Sequence, residues 1–156
     1  LTMELQKLAL HAESSGENII TARSVESLIE GLSTNALQVG DALLTGDPGK
    51  AIALLDALND AGEPALRIVA TLTGQIRGWL WVLLLEQQGE RDVGVIAKAA
   101  GIGNPKRIYV MRKQLQGRSP QRCLNLLSRL LDVEAALKRG TQPGDAFRDG
   151  LLGAAQ

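Results

Sequence analysis

Eight basic side chains, Lys98, Lys106, Arg107, Arg112, Lys113, Arg118, Arg122 and Arg129, fall between Asp92 and Asp132 with no acid among them. Four of the eight are carried by GIGNPKRIYVMRKQ, residues 101–114. Bases at this density suit two kinds of chemistry: contact with nucleic-acid phosphates, or pairing with an acidic protein neighbour. The net charge of zero conceals a division along the chain. Residues 1–90 hold 5 basic and 12 acidic side chains, net −7, whereas residues 91–156 hold 12 and 5, net +7. A solvated basic face that pairs with the acidic half of the same chain accounts for the same numbers, so charge alone leaves the readings open.

Catalytic constellations are poor by comparison. Gly49-Lys50 is the nearest approach to a phosphate-binding loop, but Leu44 stands where its first glycine belongs and Ala51 where its Ser or Thr belongs. Asp56 and Asp60 share a helix face at four-residue spacing, which marks a solvated face more often than an acid–base pair. His11 is the one histidine and Cys123 the one cysteine of the 156 residues. Imidazole or thiolate metal sites, an internal disulfide and a Cys/His nucleophile are therefore not expected, and neither is a cofactor. Cys123 sits on an apolar stripe beside Leu124 and Leu127 and reads as a packed thiol in a reducing compartment. The expectation is a chain without intrinsic catalysis.

The elements that position these groups are helices. Apolar residues make up 45% of the chain but aromatics only 3%, so the interior must be built from Leu, Ala, Val and Ile. That composition favours packed helices over a sheet. Helical stripes run through 2–14 (Leu5, Leu8, Ala9, Ala12) and through 21–31 (Val25, Leu28, Ile29), the second capped by Thr21 and stopped at Gly31. A third helix follows a cap at Ser33 or Thr34, carries Leu37, Ala42, Leu43 and Leu44, and stops at Gly46. Asp47-Pro48 opens the next, to about residue 60, and Gly62-Glu63-Pro64 repeats the stop and start.

Residues 64–88 read as the longest and most buried helix, with Gly74 and Gly78 four apart to let a neighbour approach. Asp92 caps a short helix ending at Ala100, Pro105 opens one to about Gln116, Ser119-Pro120 another ending at Gly140, and a last one follows Pro143. In the 120–140 helix Cys123, Leu124, Leu127, Leu130, Leu131, Val133 and Leu137 are expected mostly inward. No strand signal appears, and the expected fold class is all-α. The longest uninterrupted apolar run, Trp79 to Leu85, is seven residues, too short to span a bilayer. The sequence begins with Leu1 rather than Met and shows no charged-then-apolar segment at its start, so the chain is expected to be a piece of a longer polypeptide.

The basic segment can be tested as a DNA-reading helix-turn-helix. Ile96, Ala97, Ala100, Gly101 and Ile102 fit the first helix and turn, and Val110 an inward position of the second helix. Arg107, however, occupies a slot where that motif wants an apolar residue, Ile108 is displaced by one, and Pro105 starts the would-be reading helix. The expectation is a helix pair built for packing, basic on its outer side. Tyr109 either stacks on a base or packs at the surface. A free-standing DNA-binding regulator using the helix pair 92–116 is the alternative function.

The order and spacing of five segments carry a family resemblance: LTMELQKLAL, IITARSVESLI, DALLTGDPGKAIALLDALNDAGEPALRIVATLTGQIRGW, VIAKAAGIGNPKRIYVMRKQ and LLDVEAALKRG. Together they resemble the C-terminal part of the delta subunit of bacterial DNA polymerase III, a clamp-loader component, over essentially the whole chain. One departure is Lys106 after Pro105, where the family often has an aromatic. The resemblance implies that residues 1–33 end a helical lid domain and that 34–156 form the all-α collar domain, a helical bundle that joins the loader's subunits into a ring. It also implies that this subunit is not an ATPase but an accessory of a DNA-directed DNA polymerase, a nucleotidyltransferase, in the cytoplasm. The sliding clamp would be met only through an N-terminal domain outside this chain.

For such a collar, Gln75, Arg77, Trp79 and Trp81 are the expected packing or interface residues, because positions 79 and 81 cannot both face one core on a helix. One tryptophan near a surface or both buried between several helices are alternatives of equal standing. Lys106, Arg107, Arg112, Lys113, Lys138 and Arg139 are the expected contacts to phosphates of primer-template DNA in the assembled complex. Other loader subunits are the expected protein partners, and no membrane is.

Overall fold

A computed structural model describes residues 35–152. The expected helices at 2–14 and 21–31, the cap at Ser33 or Thr34, and residues 153–156 lie outside the described residues. From Ala36 onward the described residues belong to one compact unit. Among the described residues there are seven helices and no strand. They are α1 (35–45), α2 (Pro48–Asp60), α3 (Ala65–Gln87), α4 (Val93–Ala100), α5 (Arg107–Gln114), α6 (Pro120–Lys138) and α7 (Pro143–Leu152).

Short-range chemistry sets the ends. Asp47 Oδ1 accepts the Lys50 N–H at 3.0 Å, and Pro48 occupies the first turn of α2, where no N–H is needed. Asp92 Oδ1 accepts from the N–H groups of Gly94 at 2.8 Å and Val95 at 3.4 Å, opening α4. Gly101 closes α4 at φ 73°, left-handed backbone that residues with a Cβ rarely adopt, and the Ile102 N–H then reaches the Ala97 carbonyl at 2.8 Å. At the C-terminal end of α1 the carbonyls of Leu43 and Leu44 accept from Arg122 of α6, through Nη2 at 2.9 Å and Nε at 3.1 Å. The Leu43 carbonyl also accepts the Gly46 N–H at 3.3 Å, so the base distant in sequence adds a second donor there and supplies one to Leu44 at the helix end.

Helix α3 is the axis of the unit. Its Leu72, Ile76, Trp79 and Val82 are at most 1% exposed, and α4, α5 and α6 all pack against it. Helix α6 contributes Cys123, Leu126, Leu130 and Val133 to the same core, and α7 packs against both α6 and α2 with Ala146, Phe147 and Leu151 buried. Each such aliphatic or aromatic side chain contributes about 1.5–3 kcal/mol by leaving water. By length and average hydropathy α3 is long and apolar enough to cross a membrane. The uninterrupted-run criterion misses this because Arg67, Gln75 and Arg77 divide the helix into short runs. Its apolar face is covered by the other helices instead.

The phases of α5 and α6 correct two expectations. In α5 the buried residues are Ile108 and Met111, followed by Leu115, while Arg107 is exposed and Val110 is 60% exposed. Val110 is therefore outward, and Arg107 occupies no inward slot. The cause lies upstream: Asn104 accepts the Lys106 N–H on Oδ1 and the Arg107 N–H on its carbonyl, both at 3.1 Å. That turn delays the helix to Arg107, so Pro105 precedes it rather than opening it. In α6, Leu124 and Leu131 are 47% and 66% exposed and Leu126 is buried. The expected inward set spanned half the helix circumference, more than the neighbours of α6 cover.

Candidate functional site

The outward side of α5 follows from its inward side. At 100° per residue, Lys106, Tyr109, Val110 and Lys113 recur at i, i+3, i+4 and i+7, opposite Ile108 and Met111. All four are exposed, Tyr109 by 54%. Arg107 is exposed at the edge of this stripe. Arg112 is half-buried and differently engaged: its Nε donates to Glu86 Oε1 on α3 and its Nη2 to the Arg91 carbonyl at 3.2 Å. Its guanidinium carbon lies 5.9 Å from the Tyr109 ring centroid.

The six expected phosphate contacts do not form one cluster. Lys106, Arg107 and Lys113 share α5 and its preceding turn, and Arg112 leans on α3. Lys138 and Arg139 lie at the C-terminal end of α6, about 27 Å of helix from its start. Lys138 is also paired with Glu134 at 3.0 Å. Of the remaining bases in the acid-free stretch, Arg122 caps α1, whereas Lys98 is exposed on α4.

A second outward face belongs to α3. Leu66, Ala70, Arg77, Trp81 and Leu84 fall within about 60° of one another around the helix. All are exposed, Trp81 by 43%. Trp79 is 1% exposed and fills the core, so its role is packing and it offers nothing to an interface. Gly74 is open on the solvent side, while a Cβ on Gly78 would meet Met111 Cε at 3.6 Å; the expected close approach exists at Gly78 alone. Leu66 and Leu84 were missing from the sequence-derived set although the same angular arithmetic places them beside Trp81.

Gln75 turns inward. Its Nε2 donates to the Leu37 carbonyl at 3.0 Å and to Asp41 Oδ1 at 3.3 Å. Gly40 makes room, since a Cβ there would overlap the Gln75 amide. Gln75 Oε1 is buried without a hydrogen-bond partner among the described residues. Asp41 Oδ1 also accepts from Gln114 Nε2 at 3.2 Å, so one carboxylate of α1 joins α3 to the end of α5. Burial raises the Asp41 pKa above its ordinary value, against the opposing effects of the Gln114 hydrogen bond and the Lys50 charge. Burial pushes the Cys123 thiol up to about 11, with the charge of Arg122 acting the other way. Among the described residues no group of three His, Cys, Asp or Glu could hold a metal ion.

The described unit is a helical domain with exposed aromatic and basic groups on the outer faces of α3 and α5. The chain belongs to the family of the DNA polymerase III delta subunit, C-terminal domain, whose profile matches residues 33–147. No curated protein and no solved structure matches it. Family membership ties the chain to the clamp loader of DNA polymerase III, an accessory assembly in replication.

Proposed function

We propose that residues 34–156 are a collar module that assembles the clamp loader's subunits into the ring that places the sliding clamp on primed DNA, and that residues 1–33 end a lid domain. The observation that carries this reading is the outer face of α3. Leu66, Trp81 and Leu84 remain exposed on the helix whose opposite face is the core of the unit. An exposed tryptophan flanked by leucines with Arg77 between them is the composition of an interface anchor. The partners are the other loader subunits, and the domain works through binding surfaces rather than catalysis. Co-purification with those subunits tests it: the chain is retained at low and moderate salt, and failure to associate under both contradicts the collar reading.

The stripe on α5 favours a second role in the assembled complex, contact with primer-template DNA. Lys106 and Lys113 bracket an exposed tyrosine, which pairs phosphate-binding charges with a stacking platform. Neutralising Lys106, Arg107 and Lys113 lowers the loader's DNA affinity and flattens its salt dependence; unchanged affinity and slope contradict the role. A free-standing regulator would instead bind a particular DNA sequence tightly as the isolated chain, which the same titration without loader subunits detects.

A further inference from the structure

Arg112 differs from the other bases around α5 in the direction its guanidinium is held. Nε donates to Glu86 Oε1 near the C-terminal end of α3, and Nη2 donates to the Arg91 carbonyl at 3.2 Å. One of the two bidentate edges of the fork, Nε with Nη2, is therefore turned to the protein. The two side chains of the pair are 26% and 24% exposed, which shields their attraction from solvent more than on an open surface. The Tyr109 ring, one turn back on the same helix, sits 5.9 Å from the guanidinium carbon.

We propose that Arg112 is a positioning residue rather than a phosphate ligand: anchored by Glu86, it steadies the Tyr109 ring on the outward stripe, and Lys106 and Lys113 meet the phosphates. The proposal rests on the DNA-contact reading of α5. Without Arg112 the ring would share the staggered χ1 states a helix permits, and the fraction in the binding orientation would fall about two- to threefold.

The two roles of Arg112 predict opposite signs for one variant. In the assembled loader, titrated with labelled primer-template DNA over a range of salt, Glu86→Ala removes the acceptor and releases the guanidinium. If Arg112 positions Tyr109, Glu86→Ala, Arg112→Lys and Arg112→Ala each weaken binding about two- to threefold and leave the salt slope unchanged. Lysine fails here because it keeps the charge but not the planar fork. Stronger binding by Glu86→Ala, full retention by Arg112→Lys, or a slope reduced by about 1 in Arg112→Ala overturns the proposal, since these mark a phosphate contact. Unchanged binding in all three variants overturns it as well. Lys106→Gln with Lys113→Gln tests the underlying reading separately: no loss there removes DNA contact from α5 altogether and the positioning role with it. Thermal unfolding of each variant confirms that the fold is retained.

Discussion

Cys123 and Asp41 make the same physical point at opposite ends of the pH scale. Desolvation pushes the Cys123 thiol from 9.0 up to about 11, so little thiolate exists near neutrality and the folded protein should alkylate far more slowly than the unfolded chain. The folded state holds this proton to higher pH than the unfolded state does. The contribution to stability is complete below the unfolded value and is lost as pH rises from about 9 towards 11. The wild-type unfolding midpoint should decline through that window more steeply than that of Cys123→Ala; equal slopes would contradict the assignment. Asp41 also has a raised pKa, so its ionised form is disfavoured in the fold at neutral pH. Asp41→Asn keeps the acceptor for Gln75 and Gln114 and removes the charge. Its melting midpoint should exceed wild type at neutral pH, with the advantage shrinking as pH falls into the carboxylate range. Gly40→Ala should destabilise by about 1–2 kcal/mol in denaturant titration, despite alanine's better helix propensity, because the Gln75 amide must leave its hydrogen bonds.

At the scale of elements, α3 carries two tryptophans two positions apart with opposite duties. Trp79→Ala should cost about 3–5 kcal/mol of unfolding free energy, since a fully buried indole leaves a cavity. Trp81→Ala should change the stability of the isolated chain by only about 0.5 kcal/mol, as surface substitutions do. Equal losses would contradict the division of roles. Helix boundaries were legible because they rest on local chemistry: Asp47-Pro48, Asp92 and Gly101 act within four residues of themselves. The phases of α5 and α6 were less legible. A leucine run such as Leu124 to Leu131 supplies more apolar residues than one face can bury, and the neighbours of α6 decide which remain inside. The α5 phase hung on a side-chain turn at Asn104 that periodicity does not register. Gln75 was recognised as significant, but its destination was not, because its partners Leu37 and Asp41 are more than thirty residues away.

For the whole molecule, the charge division between residues 1–90 and 91–156 resolves into several uses rather than one surface. Arg122 is spent on the carbonyls of α1, Arg112 on Glu86, and Arg148 on Asp56 at 2.8 Å. Lys106, Arg107 and Lys113 remain outward on or beside α5. Family membership connects the chain to the clamp loader, and the collar proposal assigns assembly to the exposed face of α3. The most direct measurement of assembly through that face is the affinity of the chain for the other loader subunits, wild type against Trp81→Asp. Trp81→Asp should keep its fold and unfolding midpoint yet lose about 100-fold or more in affinity, the scale of an interface hot spot. Undiminished association by a folded Trp81→Asp chain would contradict it.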